Sequence, residues 1–319
     1  MITCLVARDG RLETVPVEGL AACLADPTAR VWVDLENEGM EGFTALMPGL
    51  RFHPMAIEDC VTDVNHPKVD DYGEYLYLAV HSARWDEADR EPVLRELDIL
   101  LGERYLLTYH EEPTRGVNRA RELLARRGDL LQRGPDHLLH YILDVMVDNY
   151  LPIVDRIQGQ LDHTEARVFH DSTQHVLGEI LRLKRAMATL RRIVGPQRDT
   201  ILSLTRDEFT GVRPEIRPYL RDVYDRMVRV GDLLDSFRDE LATLLDIYAT
   251  QVSNRLNEVM KVLTVITVVI MPVNLIASIY GMNVLFPGLN QAWGFWMSLG
   301  LMALLGFGMF WFIRSRRWL

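Results

Sequence analysis

Between Val262 and Tyr280 the chain carries no charged side chain. As a helix this run spans about 28 Å, close to the hydrocarbon thickness of a bilayer, and it reads as a transmembrane helix. A second charge-free run, Trp293 to Ile313, has tryptophans near both ends like an interfacial belt and is stopped by Arg314, Arg316 and Arg317. Lys261 and this basic tail mark the same side of the membrane, so the two runs predict a hairpin with both termini in the cytoplasm of a plasma or inner membrane. Only the short uncharged loop between them lies outside.

The polar residues of the first run are ordered. Asn257, Met260, Thr264, Thr267, Met271, Asn274 and Ser278 follow one another in alternating steps of three and four, which keeps them on one seam of a helix packed against copies of itself. Every hydroxyl and amide between Val262 and Ile279 lies on this seam. One reading is a helix-packing face, on which small and hydroxylated residues let neighbours approach or bond back to their own carbonyls. The other is a pore wall, with Thr, Asn and Ser facing water and Met forming narrow apolar rings. Asn274 favours the pore, because an amide in lipid needs a partner that lumen water provides.

The chain has 319 residues and a formal charge of −10, with no Asp or Glu after Glu258. The part before the membrane is therefore acidic, which argues against nucleic acid as a partner and is compatible with divalent cations. Cys4, Cys23 and Cys60 form no C-x-x-C pair and point to free thiols in a reducing compartment. The first fifteen residues lack the long apolar core of a signal peptide.

Three regions follow along the sequence. Over 1–112, the runs Ile2–Val6, Val31–Leu35, Tyr75–His81, Leu97–Leu101 and Tyr105–Tyr109 are short, β-branched or aromatic-rich, and bounded by Gly, Asp or Pro; they predict an α/β domain. Pro54–Cys60 reads as a short helix with proline in its first turn, and a helix start with proline and first-turn acids accounts for His53, Glu58 and Asp59 better than a metal site does. Over 113–256 the pattern is helical: Thr114–Arg127, Asp136–His170 and Ser172–Asp207, the last expected to kink or end at Gly195-Pro196. A final helix begins near Pro214 or Pro218 and meets no further proline until Pro272; taken to Tyr280 it would be about 95 Å long and is expected to serve as a stalk. Residues 257–319 complete the membrane hairpin, with spans at about 262–280 and 293–313 around the loop 281–292.

Against this layout, the chain resembles the CorA family of magnesium channels. The resemblance rests on Tyr280-Gly281-Met282-Asn283 between two C-terminal spans, on Asn257 to Thr264 and Met271-Pro272 before it, and on the basic Arg-Arg-Trp-Leu ending. It extends to Trp32-Val33-Asp34-Leu35, to His53 through Asp59 and to Pro67 through Tyr72. It implies a homopentamer whose long helix lines a central pore inside an outer ring of second spans, below which cytoplasmic α/β/α domains form a funnel. By matching position, Gly281, Met282 and Asn283 would form the outer mouth and ion-selecting ring. Asn257, Met260, Leu263 and Met271 would line the pore, Met260 and Leu263 closing it. Regulatory Mg2+ between subunits would fall to Asp246, Asp222 and Asp86. Val284 to Ala292 has none of the acidic residues that family members often carry there, so the mouth rests on uncharged oxygens.

The function so implied is Mg2+ influx through a channel closed by internal Mg2+, with Co2+ and Ni2+ as further cargo and no organic cofactor. A zinc transporter of the related branch, proton-coupled or passive, tends to replace the Met of Gly-Met-Asn, so Met282 argues for magnesium. A membrane-anchored interaction protein would need no polar seam within the bilayer. An enzyme is the remotest reading, since the chain has no Gly-rich phosphate loop and no nucleophile motif.

Overall fold

The computed structural model describes residues 1–62, 66–127, 129–170, 174–206, 209, 211–282 and 292–316. The strands are β1 (Ile2–Arg8), β2 (Arg11–Val15), β3 (Arg30–Glu36), β4 (Lys68–Asp71), β5 (Tyr75–Asp86), β6 (Glu91–Gly102) and β7 (Tyr105–His110). The helices are α1 (Leu20–Ala25), α2 (Gly39–Leu46), α3 (Pro54–Val61), α4 (Arg115–Arg126), α5 (Asp129–Arg133), α6 (Pro135–Asp148), α7 (Tyr150–His170), α8 (Gln174–Arg206), α9 (Arg217–Tyr280) and α10 (Ala292–Ser315). By compactness the chain divides into a unit of residues 1–167 and 173–244, and a second of 168–172 and 245–319.

The first unit is built on one mixed sheet in the order β2-β1-β3-β7-β6-β5-β4, in which only β3 and β7 run parallel. Strand alternation sorts the side chains by face. Val31, Val33 and Leu35 join Phe43, Leu46, Ala56 and Ile57 of α2 and α3 in one core, while α6 packs on β3, β5, β6 and β7. Helices therefore cover both faces. All five expected strands are present, but β5 and β6 reach twelve residues each, because they pair with one another along their whole length. The expectation missed β2 and β4, short edge strands that are largely polar.

Two other expectations are corrected. The helix predicted over 136–170 is two helices, α6 and α7, separated at Asn149, where Tyr150 turns its hydroxyl to donate to the His81 carbonyl. The third helix neither ends nor breaks at Pro196; α8 runs on to Arg206. Beside that proline, Gln197 is 0 % exposed and its Oε1 accepts from the His81 N–H at 2.7 Å. Since β4 stops at Ala79 in its register with β5, side chains of α7 and α8 satisfy the β5 backbone where the ladder has ended.

His53 caps α3, its Nδ1 accepting from the Met55 N–H at 3.2 Å. No acid lies in the first turn of that helix, contrary to expectation, and Asp59 instead pairs with Lys68 at 2.7 Å. Asp34 is buried beneath α4: its Oδ1 accepts from the Thr108 hydroxyl at 2.5 Å and lies 3.2 Å from His110 Nε2, and its Oδ2 accepts from Arg121 at 2.5 Å. Trp32 Nε1 donates to the same threonine. Burial pulls the Asp34 carboxyl upward, but His110, Thr108 and Arg121 outweigh it and hold the group below the ordinary carboxylate value. Asp136, at the start of α6, is likewise held low against burial by Arg213 and His137. The three cysteines are buried free thiols.

Candidate functional site

The second unit contains two helices long and apolar enough to cross a membrane, the end of α9 and Trp293–Ser315 of α10. Helix α9 continues through Pro272 to Tyr280, where Gly281 N–H bonds to the Ala277 carbonyl at 2.9 Å and Met282 N–H to Ile279 at 3.3 Å. A side chain at position 281 would crowd the last turn, since a Cβ built there sits 3.1 Å from the Ala277 oxygen. The backbone at 281 is not left-handed, so a small side chain there would ask the turn to shift by a few tenths of an ångström. Asn283 and the loop 283–291 lie outside the described residues, as does Arg317.

Covered residues on α9 mark the face that meets α10. Val265 and Ile276 are buried, Val273 Cγ2 lies 3.6 Å from a Cβ built on Gly306, and Val265 and Val268 share an apolar hollow with Met309, Phe312 and Ile313. At about 100° per residue, Val265, Pro272, Val273 and Ile276 fall together on the helical wheel. Asn257, Met260, Leu263, Thr264, Thr267, Met271, Asn274 and Ser278 are all exposed in the single chain and cluster roughly on the opposite side. The chain's own second span leaves the polar seam uncovered.

The seam hydroxyls have a defined polarity. Thr264 Oγ1 donates to the Met260 carbonyl at 2.7 Å and Thr267 Oγ1 to the Leu263 carbonyl at 2.8 Å. Each proton is committed to the helix, so each oxygen turns lone pairs outward and acts as an acceptor. The Asn274 carboxamide makes no hydrogen bond to another described residue. The packing-face reading and the pore reading share these bonds; what separates them is whether protein or water covers the exposed side.

The three candidate regulatory carboxylates differ. Asp86 closes β5 at the β5–β6 hairpin and its Oδ1 accepts from the Ala88 N–H at 2.8 Å. Asp246 is exposed on α9, with Thr250 bonded to its carbonyl and no cation paired to its carboxylate among the described residues. Asp222 is exposed but faces Arg226 at 3.0 Å, and the same guanidinium also holds Asp144 and Asp148 of α6. Among the described residues no group of three His, Cys, Asp or Glu side chains within the chain is arranged to hold a metal ion. Asp246 and Asp86 fit a hard cation as open oxygen donors, whereas Asp222 would first have to exchange its arginine.

The match to known proteins covers this architecture end to end. A family model described as "CorA-like Mg2+ transporter protein" matches residues 28–316. The chain is 32% identical to the putative metal ion transporter YfjQ of Bacillus subtilis, over 98% of this chain and 97% of that protein. It is also 32% identical to the cobalt/magnesium transport protein CorA of Thermotoga maritima, over 84% of this chain and 77% of that one. In structure it superposes on the complete CorA magnesium transporter of Methanocaldococcus jannaschii with a TM-score of 0.83 at 20% identity, covering 100% of this chain and 99% of that one. The soluble α/β domain, the long helix and the two apolar C-terminal helices are thus those of a membrane metal-ion transporter rather than an enzyme, and the chain belongs to the CorA-like Mg2+ transporter family.

Proposed function

We propose that copies of this chain, five by family resemblance, assemble around the α9 seam to form a channel that admits divalent cations, chiefly Mg2+, with Co2+ and Ni2+ as weaker cargo. One observation carries the reading: α10 packs on one side of α9, and every hydroxyl and amide from Val262 to Ile279 lies on the other. A lone hairpin in lipid would expose an unpartnered amide and a row of acceptor oxygens to hydrocarbon, at a cost of several kcal/mol for an unsatisfied polar group. Copies meeting around water remove that cost. The names of the Thermotoga and Methanocaldococcus relatives support magnesium as cargo.

Mg2+ surrenders its water reluctantly. Oxygens whose own protons are tied back to the helix suit that shell, since they accept hydrogen bonds from coordinated water without stripping the ion. Asn283 amides at the mouth, beside Gly281 and Met282, would recognise the hydrated ion by size and donor geometry. Met260 and Leu263 make the apolar constriction. Both termini lie in the cytoplasm, and internal Mg2+ held between subunits by Asp246 and Asp86, with Asp222 if Arg226 releases it, offsets repulsion between carboxylates and favours the closed ring.

Flux into proteoliposomes tests the reading. Mg2+ uptake driven by its gradient and indifferent to a pH gradient is expected, with Asn283→Ala losing selectivity and rate. Proton-dependent Zn2+ uptake without Mg2+ uptake would overturn it.

A further inference from the structure

The first unit holds a cleft of ≈ 540 Å³, within the range of roughly 300–1,000 Å³ typical of small-molecule sites. Its walls come from β5 and β6 with the turn between them, the segment leading into α4, α4 itself and the start of α7. Although the chain is acidic, five arginines and three glutamates line this cleft. Glu87, Glu112 and Glu122 are taken by Arg156, Arg95 and Arg119. Arg115 bonds the neutral Asn149 Oδ1 at 2.8 Å, and among the described residues neither it nor the exposed Arg84 is paired with a carboxylate.

The same cleft receives the N-terminus of α4, a twelve-residue helix. Thr114 stands at its N-cap in extended geometry, yet its side chain does not cap the first turn. That residue is 2 % exposed and its hydroxyl has no hydrogen-bond partner among the described residues. A buried hydroxyl left unpaired costs about 1–3 kcal/mol, and an uncapped helix N-terminus attracts anions through its N–H groups and dipole. A groove of mutually satisfied surface pairs would show neither the spare cations nor the idle threonine. Trp85, with the Arg156 guanidinium 5.9 Å from its ring centre, and Pro113, Pro152 and Ile153 supply the apolar part of the lining.

We infer that this cleft is a binding site for a nucleoside phosphate: a phosphoryl group at the α4 N-terminus, accepting from Thr114 and held by Arg84 and Arg115, with its apolar body against Trp85 and the two prolines. Guanidinium groups suit phosphoryl oxygens through paired N–H donors. Free phosphate shares the anionic chemistry but would leave the apolar wall unused.

The test is equilibrium binding of radiolabelled ATP to the full chain in detergent, with EDTA present so that cation binding does not enter. Saturable binding is expected, with adenosine and inorganic phosphate competing only at about 100-fold or greater excess. Arg84→Glu and Thr114→Val should each weaken ATP about tenfold or more, the worth of one charge-assisted bond. Thr114→Val deletes an unpaired buried hydroxyl and should not lower the unfolding temperature, so loss of binding there is not loss of fold. Arg51→Glu, an exposed arginine elsewhere in this unit, should bind normally. The inference is overturned by absence of saturable ATP binding, by unchanged affinity in both site variants, by equal loss in Arg51→Glu, or by displacement of ATP by phosphate at equal concentration. Cation flux plays no part in the assay, so either result leaves the channel reading where it stands.

Discussion

Val273 and Asn274 are neighbours about 100° apart on α9: the valine packs toward Gly306 of α10, and the amide is exposed on the face α10 leaves open. Their substitutions should separate packing from conduction. Asn274→Leu is expected to cut Mg2+ flux at least tenfold while leaving the unfolding temperature unchanged. Val273→Asn should do the reverse in kind, destabilising the hairpin by about 2 kcal/mol or more through a misplaced amide, read as a lower melting temperature in detergent.

Asp34 ties the sheet to α4 through Arg121 and to β7 through Thr108 and His110. Asp34→Asn should cost about 1–3 kcal/mol, because Arg121, itself partly exposed, and the buried Thr108 and His110 lose a charged acceptor; denaturant unfolding followed by circular dichroism reads it. The pH dependence has a definite sign. Both Asp34 and Asp136 are held below the ordinary value of 3.8, so their stabilisation is complete above that pH and is lost as pH falls through their lower folded values. Stability should therefore drop steeply below about pH 4, and the Asp34→Asn protein should show a shallower drop.

For gating, Asp246→Asn should raise the internal Mg2+ needed for closure several-fold, measured as the midpoint of protease protection across a Mg2+ titration. An unchanged midpoint would remove Asp246 from the regulatory set. Asp222 gives a second handle: with Arg226 at 3.0 Å, Asp222→Asn should shift that midpoint less than Asp246→Asn does.

Gly281→Val should lower flux more than Gly281→Ala. A Cβ there already approaches the Ala277 oxygen to 3.1 Å, and a branched side chain would displace the turn that leads to Asn283. Flux measured beside an unchanged level of membrane-inserted protein checks this.

Much of the fold was legible because it rests on local pattern. The charge-free runs gave the end of α9 at Tyr280, and short β-branched or aromatic-rich runs bounded by Gly, Asp or Pro gave five of the seven strands among the described residues. What escaped depends on tertiary partners. β2 and β4 are polar edge strands with no apolar signature of their own. Pro196 looked like a helix end because local rules say so, yet Gln197 anchors that turn of α8 to β5. The seam was readable from its three-and-four spacing, while its position opposite α10 was not, since that depends on where Val265, Val273 and Ile276 find cover. The Arg226 partnership of Asp222 and the idle hydroxyl of Thr114 join or isolate groups in ways no spacing announces.

Water on the seam is the central claim, and thiol accessibility tests it most directly. Thr267→Cys, Asn274→Cys and, on the flank between the seam and α10, Ile266→Cys would each be treated, in liposomes, with a membrane-impermeant cationic thiol reagent; the native cysteines are buried. Modification at 267 and 274 that blocks Mg2+ flux, with position 266 unreactive, is the expected result. Reaction at 266 with 267 and 274 protected would contradict it.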